Sequence, residues 1–350
     1  MRLTREKQVK LKNQLPDAPE APGANLIAVA GEALVDLVLE PNGRTTAHLG
    51  GGSFNAARTL GRLGLRPLFI GRLSRDQYGR ALRAGLKESG VSIGAVVSTD
   101  DPTTFARVEI DAAGVASYRF YIEGTSSAGL LPHEALTAIE SAPAALHVGG
   151  LGLAVEPQAR SIAVLVNQAG PDTLVLVDPN CRPGAVRDTQ PYRERLRKVL
   201  ARADVVKASE EDLAYLEPDA TPMQTARWLL AAGPSVVLLT HGSLGASVLS
   251  GDRQAWIAAP PARVVDTIGA GDAFGAAWLG AWIAEHRGRV DLRDMDALVR
   301  TAQFAATVAA RTCEHAGAEP PRAAKVGAEW CFAREALKPA AREGARCSER

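Results

Sequence analysis

Short apolar runs alternating with amphipathic stretches constrain this chain more than any other feature. Residues 25–30, 145–148, 173–177, 205–206 and 235–240 are near-continuously apolar rather than apolar at every second position, the pattern of strands covered on both faces. Residues 56–63, 75–91, 157–168, 210–216, 223–232 and 295–311 place apolar side chains at helical spacing, and the second of these stretches closes at Gly90. Repeated strand and helix units with doubly covered strands predict an α/β fold, a doubly wound, mainly parallel sheet flanked by helices. Ligands of such sheets sit beyond the carboxyl ends of the strands, where Asp178, Ser209, Thr240 and Asp266 fall. One insertion breaks the order. Residues 103–110 and 115–122 read as two β-runs joined at Asp111-Ala112-Ala113-Gly114, a hairpin signature, and residues 44–49 read as an edge strand. The sequence holds no internal repeat.

Composition narrows the ligand. Hydrophobic residues make up 46% of the chain, enough for a full core, and 40 Lys and Arg stand against 39 Asp and Glu. A balanced charge offers no field for nucleic acid or a membrane surface, which leaves a small molecule. Cys181, Cys313, Cys331 and Cys347 are far apart with no C-x-x-C pair, against zinc or a disulfide framework and in line with reduced thiols. No apolar run approaches the roughly 20 residues of a membrane span, and the first residues lack the apolar core of a secretion signal; a cytoplasmic location is the expectation. Residues 1–24 are charged and then Pro/Ala-rich, the composition of a disordered arm, so the folded domain is expected over 25–321, with 322–350 as an extension.

The stretch V-D-T-I-G-A-G-D-A-F-G-A-A-W-L, residues 265–279, reads strand, tight turn, helix. Gly269 and Gly271 at the turn let backbone N–H groups approach a ligand closely, and a helix N-terminus with its unpaired N–H groups suits an anion such as phosphate. Asp272 is the acid inside this anion site. A carboxylate there repels phosphate, so it needs a reason: deprotonating a hydroxyl that attacks phosphorus is one, and capping the helix is another.

D-T-I-G-A-G-D-A-F closely resembles the D-T-x-G-A-G-D signature of the ribokinase-like (phosphofructokinase-B family) carbohydrate kinases. A second stretch, G-G-G-S-F-N-A-A-R-T-L-G-R-L-G over residues 50–64, resembles the family's other signature. The resemblance can be followed from residue 25 to about 321, is strongest to fructokinase, and implies an ATP-dependent sugar kinase. By that resemblance Asp272 is the base and Gly269, Ala270 and Gly271 hold the developing charge. Gly50, Gly51, Gly52, Asn55 and Asp36 bind the acceptor sugar, with Phe54, Thr104 and Arg107 shaping acceptor choice. Asp178-Pro179-Asn180 with Arg182, and Lys207 to Asp212 with Ser209 between them, resemble the segments that order magnesium, through water at Asp178 and Asp212, and that bind phosphate at Asn180, Lys207 and Ser209. S-E-E-D is equally a good helix start with Ser209 as cap. Thr240, Gly242 and Gly245 resemble the nucleotide loop, Asp266 and the backbone of Ile268 with residues 313–317 match a site for a potassium-like cation, and Ala306 stands where many relatives carry an asparagine beside the adenine.

The acceptor implied is a small sugar with a free primary hydroxyl. Alternatives are 2-keto-3-deoxygluconate kinase, ribokinase or a nucleoside kinase of the same family, and outside the enzymes a sugar or nucleotide sensor. Strands over 34–49 and 103–122 would form a β-lid that keeps water from the reaction, and because open strand edges are seldom left bare, a homodimer is expected.

Overall fold

The computed structural model describes residues 25–327 except 40–42, 111–115, 140–141 and 187. The expected arm, the hairpin turn at 111–114 and residues 328–350 of the extension lie outside the described residues. The strands are β1 (Ile27–Ala30), β2 (Leu34–Leu39), β3 (Thr45–Gly50), β4 (Leu68–Ser74), β5 (Val96–Thr99), β6 (Phe105–Ile110), β7 (Ala116–Tyr121), β8 (Ala145–Gly149), β9 (Leu174–Asp178), β10 (Val205–Ser209), β11 (Val236–Thr240), β12 (Gly245–Ser250) and β13 (Arg253–Ala258).

Nine of them form one sheet in the order β13-β12-β11-β10-β9-β8-β1-β4-β5. Every pair from β5 to β11 is parallel, and β12 and β13 add antiparallel at one edge. The two faces bury different helices, as period-two alternation requires. Ile27, Val29, Leu174, Leu176 and Val205 pack with helices Gly52–Arg62, Gln77–Glu88, Ala270–Ala284 and Met295–Thr312. Ala28, Ala30, Val175, Val177 and Val206 pack with Gln158–Gln168, Thr189–Arg202, Glu210–Leu216 and Pro222–Ala232. Helix Ala270–Ala284 is buried at every residue from Asp272 on, which explains its lack of a polar face.

β2, β3, β6 and β7 form a second sheet in the order β3-β2-β6-β7, so β3 and β7 are its edges. Leu34, Ala106 and Leu151 fill the small core beneath it.

Sequence reasoning did not anticipate β5, β12 and β13, or the helices Pro132–Thr137, Leu151–Ala154 and Thr189–Arg202. It also placed a strand before the glycine turn, and there is none: Val264 and Val265 are 62% and 58% exposed. Val265 N instead donates to Cys313 O at 2.8 Å, so the β-branched pair is held against the chain following helix Met295–Thr312 and propensity loses to tertiary contact. Asp266 therefore does not end a strand, whereas Asp178, Ser209 and Thr240 end β9, β10 and β11 as expected. No described helix is long and apolar enough to cross a membrane.

Candidate active site

Gly269 sits at φ 78° as the residue before helix Ala270–Ala284 and makes no side-chain cap. A Cβ there would lie 2.5 Å from Ala318 Cβ, so both the left-handed backbone and the space demand glycine. Asp272 is in the first turn and does not cap the helix. Its Oδ2 accepts from Asn55 Nδ2 at 2.9 Å and its Oδ1 from Asn180 Nδ2 at 3.2 Å. A carboxylate only accepts, so both amides must turn their NH2 groups toward it. Asn55 Oδ1 is thereby left buried with no partner, an acceptor at a cavity wall that calls for an O–H or N–H donor.

That cavity measures about 250 Å³ and is lined by Asp272, Asn55, Gly51, Gly52, Asn180, Arg182, Lys207, Gly269 and Gly271, and by Glu32, Asp36, Phe120, Gly150, Leu151, Thr267 and Ile268. Asp36 reaches it from β2; a Cβ on Gly50, across the strand pair, would lie 2.1 Å from Asp36 Oδ2. Burial and the nearby Asp272 push the Asp36 carboxyl up to about 7, with Arg182 pulling the other way.

Glu32, not singled out by sequence reasoning, lies two residues past β1. It is almost fully buried, and its Oε1 accepts from Gly52 N at 2.7 Å while Oε2 accepts from Gly152 N at 3.1 Å. One carboxylate thus joins the wall that carries Asn55 to the wall that carries Gly150 and Leu151. Burial pushes its carboxyl up to about 7 against three backbone hydrogen bonds that favour the charged form. Glu32→Gln replaces one acceptor oxygen by a donor facing a donor, a loss of roughly 1–3 kcal/mol. The expected result is an acceptor KM raised by roughly 10- to 100-fold, with the nucleotide KM nearly unchanged; equal rises in both would show that Glu32 supports the fold rather than the acceptor wall.

At the other end Lys207 Nζ lies 3.0 Å from Asp178 Oδ2, both side chains buried. A Cβ on Gly271 would stand 2.8 Å from that nitrogen, so the ammonium sits against the first turn of the helix. Burial pulls the Lys207 pKa down, but Asp178, Asp212 and Asp272 outweigh it and the net direction is up. Burial pushes the Asp178 carboxyl up to about 7, with Lys207 opposing. A charged lysine beside a helix N-terminus makes a strong anion cradle, although Ala270 N already donates to Thr267 O at 3.3 Å. Asp178 Oδ1 has no partner.

Asp212 does other work. Its Oδ1 accepts from Cys181 N at 2.6 Å, its Oδ2 from Ser209 N and Ser209 Oγ at 2.9 Å, and Asp212 N in turn donates to Ser209 Oγ. The Ser209 bonds make a reciprocal cap, and the bond from Cys181 N ties Asp212 to the turn where Asn180 stands at φ 38°. The two oxygens expected to face a metal are engaged by the protein, and among the described residues no three His, Cys, Asp or Glu side chains cluster to hold one.

Residues 24–324 match the pfkB family carbohydrate kinase. A fructokinase from Rhizobium leguminosarum bv. trifolii is 33% identical over 264 residues, 73% of this chain and 79% of its own. The chain belongs to the pfkB family of carbohydrate kinases. Fructokinase from Vibrio cholerae O395 in its fructose-, ADP- and calcium-bound form superposes with a TM-score of 0.76 at 25% identity, covering 88% of this chain and 99% of that one. Fructokinase from Xylella fastidiosa with bound ATP shares the fold, with a TM-score of 0.79 at 24% identity over 89% and 98% of the two chains.

As a pfkB-family sugar phosphotransferase the protein lines one cavity with about half of the expected residues, and Gly50, Asp178, Ser209, Asp212 and Ala270 stand just behind or beside that lining. Arg107 is absent from the lining: on β6 it pairs with Leu37 and Arg119, whereas Ala106 pairs with Asp36, and alternation puts neighbours on opposite faces. Phe54 points into the main core at 0% exposure, and Thr104 is buried against Thr125. Thr240 ends β11 and Gly242 and Gly245 follow it, all three outside the cavity; Gly245 is required because a Cβ would meet Ile257 O at 2.0 Å. Asp266 also stands off the cavity: Oδ1 accepts from Ile268 N and Oδ2 from Gly317 N, so it does join the glycine turn to residues 313–317. The carboxyl-end rule applied to β1 would have found Glu32, two residues past its last strand position.

Proposed function

We propose that the protein transfers the γ-phosphate of ATP to a primary hydroxyl of fructose or a closely related neutral sugar. The observation that carries this reading is Asp272, aimed into the cavity by Asn55 and Asn180 at a glycine-rich helix start. The sugar oxygen attacks the γ-phosphorus, its proton passes to Asp272, and the bond from phosphorus to the ADP oxygen breaks. Backbone N–H groups at Gly269, Ala270 and Gly271, together with Lys207, stabilise the charge spreading over the transferred group. Asn55 Oδ1 and Asp36 accept further sugar hydroxyls, and a carboxylate can take two of them. Magnesium would neutralise the nucleotide phosphates; Asp178, with an open oxygen, fits it better than Asp212.

The lining separates this acceptor from an acidic one. Glu32, Asp36 and Asp272 face the cavity against Arg182 and Lys207, and Lys207 is already paired with Asp178. A carboxylated acceptor such as 2-keto-3-deoxygluconate would enter a cavity whose three carboxyl groups outnumber its two cations, and each of them that is ionised repels it. The fructokinase names of relatives and the fructose held by the Vibrio cholerae protein support the same reading. ADP release is to be measured with ATP and magnesium over fructose, ribose, 2-keto-3-deoxygluconate and adenosine. Fructose is expected to give the highest kcat/KM; preference for the keto-acid or the nucleoside would overturn the assignment.

A further inference from the structure

The segment 313–320 touches three parts of the site at once. Toward the acceptor helix, Arg58 donates from Nη1 to Ala318 O at 3.0 Å and from Nη2 to Glu319 Oε2 at 2.7 Å. Arg62, one turn further on, donates to Pro320 O at 2.7 Å and pairs with the other Glu319 oxygen. Arg58 stands one turn after Asn55 on helix Gly52–Arg62, so the two share a face. Toward the anion turn, Cys313 O accepts from Val265 N and Asp266 N, and Asp266 Oδ2 accepts from Gly317 N. Ala318 Cβ fills the place a Cβ on Gly269 would need, at 2.5 Å. Toward the second sheet, the Cβ position of Gly317 lies 3.3 Å from His48 Nδ1, and His48 pairs with Asp36 across β2 and β3.

We propose that segment 313–320 couples acceptor binding to nucleotide binding, with Arg58 and Glu319 as its positioning residues. Asn55 and Asp36 bind the acceptor, while Gly269 holds the nucleotide's phosphates; one segment is fastened to the neighbours of all three. Its contacts with Arg58 and Gly269 are close-packed, and interiors of this density pass displacement on instead of absorbing it. Settling of helix Gly52–Arg62 on a sugar therefore moves Ala318 and with it the Gly269 turn. Linkage makes the effect reciprocal. The inference rests on the kinase reading above.

The test is calorimetric titration of the full-length protein with a non-hydrolysable ATP analogue, with and without fructose. Wild type is expected to bind the analogue more tightly with fructose present, within the roughly 5- to 150-fold range usual for coupled sites. Glu319→Ala and Arg58→Met should bring that ratio close to one while leaving each ligand's affinity on its own near the wild-type value. A purely structural role would lower Tm and leave the ratio alone. Glu319 is 43% exposed at its side chain, so its truncation stays informative if Arg58→Met fails to fold. Arg197→Gln, which breaks an exposed pair with Glu217, should keep the ratio. A wild-type ratio of one, or one unchanged in Glu319→Ala, overturns the coupling while fructose turnover by the wild type still upholds the kinase reading; loss of that turnover overturns both.

Discussion

Asp272→Asn is expected to reduce turnover by roughly 10²- to 10⁴-fold, the usual share of a general base, while affinity for ATP stays level or tightens. Asparagine keeps the size of the side chain but takes up no proton, and it removes a negative charge from beside the phosphates. The structure adds a second expectation. Asp272 accepts from two amide NH2 groups, Asn55 and Asn180, and an asparagine has one acceptor oxygen to offer them. One donor must then lose its partner, at roughly 1–3 kcal/mol, so unfolding should show a modest loss of stability alongside the large loss of rate. Were Asp272 merely a helix cap, Asn would serve about equally well and both quantities would survive. Turnover within a few-fold of wild type, with the sugar that wild type uses best, would falsify the assignment of the base.

Lys207→Met is expected to lose roughly 3–5 kcal/mol of stability at alkaline pH, where the carboxylate left behind stays ionised, the cost of leaving one member of a buried pair uncompensated. The member left behind is Asp178, whose carboxyl is already pushed up to about 7. Without the lysine it moves higher still and takes a proton as the pH falls. The folded variant then binds more protons than the unfolded chain, where the carboxyl titrates near its ordinary value, so its stability rises as pH falls; because the wild-type carboxyl takes its proton near 7, the deficit should shrink mainly as the pH falls from the alkaline range to about 7 and then level off, and so be smaller at pH 6 than at pH 8. Replacing both partners, Asp178→Leu with Lys207→Met, removes the orphaned charge altogether, and such double replacements are often close to neutral; most of the lost stability should return. Activity should not, because the ammonium beside Gly271 is gone from both variants. Urea unfolding at pH 6 and pH 8, paired with ADP release, reads all of this. A double variant no more stable than Lys207→Met would show that the pair is not the origin of the loss.

By itself the sequence determined what depends on neighbours along the chain. Strand runs such as 173–177 and 235–240, the helix after Gly271 and the two glycine-rich signatures were legible because hydrophobic period, glycine and helix-start chemistry act over a single turn or strand. The short elements lacked such a signal. β5 spans Val96–Thr99, and β12 and β13 meet at the tight turn through Gly251, inside a stretch whose glycines also suit a ligand loop. Tertiary structure decided how each candidate side chain is used. Asn55 and Asn180 reach Asp272 across 217 and 92 residues, a meeting set by packing helix Gly52–Arg62 and the end of β9 around one helix start. Strand register turned Arg107 away from the cavity, and a reciprocal cap took Asp212 out of it. Burial made Glu32 a bridge between two walls of the acceptor cavity. In each case the role belongs to a contact between distant segments, and local periodicity carries no information about which distant segments the core brings together.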